Sequence, residues 1–121
     1  MTVTGSREWP SGPRFLVHHL ATRHGEADQE RSALTYKDET WTYATLTDVV
    51  TTVAAALGAL GIHPGERVAV AAEKRLETVS AVLATSAAGA VFVPVNPLLK
   101  PTQVGYILED CTAAVLVTTG A

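Results

Sequence analysis

Arg67-Val68-Ala69-Val70-Ala71-Ala72 is a short run that is apolar at every position after its first. An uninterrupted apolar run of this length fits a strand covered on both faces, as strands of parallel sheets are, and not a half-solvated hairpin strand, which would alternate. Two further runs share its character: Val91-Phe92-Val93-Pro94-Val95, closed by Pro94 and Pro97, and Ala113-Ala114-Val115-Leu116-Val117-Thr118. Between them lie segments with helical spacing. Residues from about Arg75 to Ala88 form one helix ending at Gly89, and a second begins at Pro101, whose ring suits a first helical turn. In the second, Val104, Ile107, Leu108 and Cys111 fall at i, i+3, i+4 and i+7. Strands that alternate with helices imply right-handed crossovers and a parallel sheet with flanking helices, so the fold class is α/β.

Upstream, the best helix runs from about Tyr43 to Leu60, with Leu46, Val49, Val50, Val53, Leu57 and Leu60 on one stripe. Thr42 is placed to accept from the free amides of its first turn, and Gly61 to act as a left-handed stop. Before it, Ala33 to Tyr36 and Thr40 to Thr42 flank the polar Lys37-Asp38-Glu39 and predict a small hairpin. Phe15, Leu16, His19 and Leu20 predict a short helix over Phe15 to His24. Residues 1–14 lack the apolar core of a secretory signal and read as a loose leader, leaving 15–121 as the folded part.

Composition narrows the function classes. At 121 residues and 47% hydrophobic, the chain has room for one modest core. Its net charge is −3 and its nine Lys and Arg are scattered, so nucleic acid is not an expected partner. The single cysteine cannot form an internal disulfide, which suits a reducing, cytoplasmic setting. Thr78 to Leu99 carries no charge, but its polar residues, glycine and prolines dilute it, and its period changes at Gly89, so a buried helix and strand are expected in place of a membrane span.

Little here points to chemistry. A phosphate loop needs glycines at a strand-to-helix turn, and the turn after the first parallel strand reads Ala72-Glu73-Lys74-Arg75. His18 and His19 are helix neighbours that point about 100° apart, while His24 and His63 lack ligand partners at metal spacing. Cys111 on an apolar helix face behaves as a small hydrophobe. The pairs Glu26 with Asp28 and Glu109 with Asp110 are explained by solvation. No catalytic, cofactor-binding or metal-binding residue is assigned.

Three stretches nevertheless carry a resemblance. Trp41-Thr42-Tyr43-Ala44-Thr45-Leu46 resembles the first core motif of adenylate-forming (AMP-forming) enzymes, Leu-Thr/Ser-Tyr-x-Glu-Leu, with Thr45 in place of the Glu. Ser86-Ala87-Ala88-Gly89-Ala90-Val91-Phe92-Val93-Pro94-Val95-Asn96-Pro97 is similar to the second, with Asn96 for the acid and without the leading Leu-Lys. Gly61 to Val70 resembles the linker into the family's first parallel strand. The motifs occur in order, and the resemblance spans about Phe15 to Thr118. Leu98-Leu99-Lys100-Pro101 and Gln103 to Leu108 read more like an acyl-CoA synthetase or ligase than a peptide-synthetase adenylation domain, and look closest to exosortase-associated acyl-CoA ligases.

The resemblance implies the N-terminal part of the large domain of such an enzyme. The complete enzyme would use ATP, Mg²⁺ and CoA: a carboxylic acid substrate attacks the α-phosphate to give an acyl-adenylate and pyrophosphate, then CoA displaces AMP. Fatty acid metabolism is a setting that fits. The family's phosphate loop lies downstream of the strand matching Ala113 to Thr118, and Thr118-Thr119-Gly120-Ala121 imitates it without its lysine, proline and further glycines. The chain alone is therefore expected to be inactive and to bind none of these cofactors, with the remainder of the synthetase as its partner. Thr42, Tyr43, Leu46, Gly89, Pro94 and Asn96 are the motif residues, read as structural in preference to ligand contacts. A non-catalytic assembly module docking to a partner chain is the alternative, and an unrelated nucleotide binder a third reading. A segment of a larger domain should also expose apolar surface or an unpaired strand edge.

Overall fold

A computed structural model describes residues 16–22 and 26–119. The expected leader, residues 1–14, lies outside the described residues, as do Phe15, Arg23 and His24 at the ends of the first expected helix. What is described of that helix is one turn, α1 (His19–Thr22), followed by a 3-10 turn (Glu26–Asp28). The hairpin is present as antiparallel β1 (Ser32–Tyr36) and β2 (Glu39–Thr42), turning at Lys37, whose φ is 54°. The order then continues as α2 (Tyr43–Ala59), β3 (Arg67–Ala71), α3 (Leu76–Ala87), β4 (Val91–Pro94), α4 (Pro101–Asp110) and β5 (Ala113–Thr118).

The second sheet has the order β4-β3-β5, and both pairings are parallel. Val68 and Val70 face one side of β3, where they pack with Leu57 of α2 and Ala81 of α3. Ala69 and Ala71 face the other, under Val104, Ile107 and Leu108 of α4. A strand with apolar neighbours on both faces must be apolar throughout, which is why the Arg67 run lacks alternation.

The outer strands differ from the sequence expectation of a second buried strand at Val91 to Val95. Val91 is 50% exposed and Phe92 37%, because β4 is an edge strand. β5 is also an edge strand, with alternating half-buried and exposed positions.

α2 and α3 pack against each other, joining Leu46 and Val50 to Leu83 and Ala84. Ala21 of α1 belongs to this cluster, and Leu34 and Trp41 of the hairpin pack against it. Two polar residues buried on α3, Ser80 and Thr85, donate to the carbonyls of Glu77 (2.7 Å) and Ala81 (2.8 Å), so neither is left unpaired.

Candidate functional site

The motif residues fall at three separate places. Thr42, Tyr43 and Leu46 mark the entry to α2. Thr42 Oγ1 accepts from the Thr45 amide at 3.2 Å, and Thr45, standing where the family has Glu, meets the same hydroxyl through its own Oγ1. The Tyr43 and Ala44 amides donate to the carbonyls of Arg31 (3.0 Å) and Gln29 (2.9 Å). The first three amides of α2 are thus engaged by the chain itself, and this helix start has none of them free for an anion. Leu46 is 3% exposed, inside the α2–α3 cluster.

Gly89 lies at the other end of the parallel sheet, just past α3, with φ +77°. Its carbonyl accepts from Gly65 at 2.9 Å, and Pro64 stands 3.9 Å from where a Cβ would sit. The helix exit and the linker into β3 are thereby joined. Pro94 ends β4 opposite Val70. Asn96 follows, and its Oδ1 accepts from the Leu98 amide at 2.9 Å while its carbonyl accepts from Leu99, a side-chain turn that carries the chain towards α4.

Sequence reasoning did not single out Arg67. Its Nε donates to the Cys111 carbonyl at 2.7 Å, and its Nη2 reaches Thr112 Oγ1, so it ties the start of β3 to the turn before β5. The preceding Glu66 accepts the His63 amide at 2.6 Å through Oε1, closing the turn that Gly65 permits with φ +83°. The signal was present, because Gly65-Glu66-Arg67 lies in the linker motif, but the pattern does not say what the guanidinium reaches.

Two of the concavities on the described surface border elements named above. One, about 500 Å³, lies between the hairpin turn (Tyr36 to Glu39) and the β3–α3 turn with the start of α3 (Glu73 to Glu77). Lys37, Lys74 and Arg75 share it with Asp38, Glu39, Glu73 and Glu77, and Arg75 is 3.4 Å from Glu73. Mixed charges without a glycine-lined cradle do not suit a triphosphate. Another, about 200 Å³, is bounded by Thr22, Gln29, Tyr43, Ala44, Thr47 and Asp48.

Among the described residues, no three His, Cys, Asp or Glu come together as a metal site, and no helix is long and apolar enough to cross a membrane. Cys111, half-buried, caps the end of α4 with Sγ 3.8 Å from the Leu108 carbonyl. Asp28 pairs with Arg31 at 3.3 Å, and the Glu26 side chain is outside the described residues. His18 Nδ1 lies 3.0 Å from Ser86 Oγ on α3, and burial, with His19 adding a smaller electrostatic effect, pushes its pKa below the ordinary value.

With the parallel sheet and motif turns placed, the family profile described as "AMP-binding enzyme" matches residues 21–121. The chain belongs to this family. It is 37% identical over 100 residues to surfactin synthase subunit 1 of Bacillus subtilis, covering 83% of this chain and 3% of that protein. Among solved structures, it resembles the anthranilate CoA ligase AuaEII (30% identity, TM-score 0.80, 86% of this chain and 20% of that one). It also resembles a benzoate CoA ligase from Burkholderia xenovorans LB400 (28%, TM-score 0.81, 88% and 22%). The N-terminal subdomain of Klebsiella oxytoca NpsA matches at 26% identity and TM-score 0.79, covering 88% and 27%. The chain thus spans only a small part of the family members it matches, in the region of their N-terminal domains.

Proposed function

We propose that this chain forms the N-terminal scaffold of an acyl-CoA ligase and does not catalyse by itself. In the complete enzyme a carboxylate oxygen attacks the α-phosphorus of ATP, pyrophosphate leaves, and the CoA thiol then attacks the acyl carbon, releasing AMP and forming the thioester. Thr42, Tyr43, Leu46, Gly89, Pro94 and Asn96 shape the scaffold, and the groups that hold ATP, Mg²⁺, CoA and the carboxylic acid come from the remainder of the synthetase. The observation that carries the non-catalytic reading is the α2 entry: Thr42 Oγ1 and the carbonyls of Gln29 and Arg31 consume the amides that an anion site there would need. Likeness to anthranilate and benzoate CoA ligases supports CoA as the acceptor.

A specific observation favours a second reading. Identity to surfactin synthase subunit 1, 37%, exceeds that to either CoA ligase, and a solved neighbour is described as an artificially fused adenylation-PCP di-domain. There the adenylate would pass to a carrier-bound thiol, with the same first half-reaction.

The test is ATP–pyrophosphate exchange with a panel of carboxylic acids, first on the chain alone and then with the polypeptide that completes its adenylate-forming domain. No exchange alone, and CoA-dependent AMP release when complete, are expected. Exchange by the chain alone refutes the scaffold reading, whereas AMP release that needs a carrier protein and ignores CoA selects the second.

A further inference from the structure

We draw no further inference here: the strongest candidate, the concavity between the hairpin turn and the start of α3, mixes Lys and Arg with Asp and Glu side chains in a way that favours no one class of ligand, and with no buried side-chain polar atom left unpartnered among the described residues, nothing in the structure shows what would occupy it.

Discussion

The α2–α3 side of the molecule and the α4–β5 side are built from similar residues but reach different ends. On the first, Leu46, Val50, Leu57, Val68, Val70, Ala81, Leu83 and Ala84 are all buried. On the second, α4 has no buried residue, and only Ala69, Ala71 and Val95 beneath it are closed off. Apolar periodicity is as clear on α4 as on α2, so the difference lies in what covers each element and not in propensity. A stripe is fully buried only when neighbours close over it from more than one direction.

The largest way to break this contrast is Leu46→Ala. Truncating a side chain 3% exposed should cost about 2–5 kcal/mol in urea unfolding followed by Trp fluorescence. Gly89→Ala should cost about 1–2 kcal/mol, because φ is +77° there while Pro64 at 3.9 Å leaves room for the methyl, so the loss is conformational and not steric. Ile107→Ala on half-covered α4 should cost about 1 kcal/mol. A loss there equal to that of Leu46→Ala would erase the contrast. Thr42→Ala removes the cap on α2 and should cost about 1 kcal/mol, readable as helix fraying at Tyr43 to Leu46 by amide exchange.

The smallest effect is a pH dependence at α1. His18 is held against Ser86 with its pKa lowered, so the unfolded chain takes up the proton first. Stability from this contact is fully present above the ordinary histidine value of about 6.5 and falls as pH drops below it towards the lowered folded value. NMR titration of His18 should show the lowered value in the unaltered chain. Ser86→Ala should remove the hydrogen bond and leave α1 less protected above pH 6.5. A His18 titration at or above the ordinary value would contradict this.

Much of the fold was legible because its decisive residues act locally. Thr42 caps, Gly61 and Gly89 adopt positive φ, Pro101 opens α4, and the Arg67 run is apolar because both faces of β3 are covered. What was not legible depends on neighbours. Val91 and Phe92 read as a buried strand, yet an edge position exposes them, and sequence pattern does not state strand order. Arg67 belongs to a motif, but its reach to Cys111 and Thr112 spans more than forty residues of sequence. The motif residues were read from the sequence as a set, Thr42, Tyr43, Leu46, Gly89, Pro94 and Asn96. Their scatter over the α2 entry, the α3 exit and the β4 exit was not, because spacing along a chain does not report distance in the fold.

Native-state hydrogen exchange on the 121-residue chain alone tests the central asymmetry most directly. Amides of β3 from Val68 to Ala71 and of the buried turns of α2 and α3 should exchange only through global unfolding, while those of α4 and the outward side of β5 should exchange at least tenfold faster through local opening. Equal protection of β5, α4 and β3 would contradict an incomplete β5 side and the scaffold reading built on it.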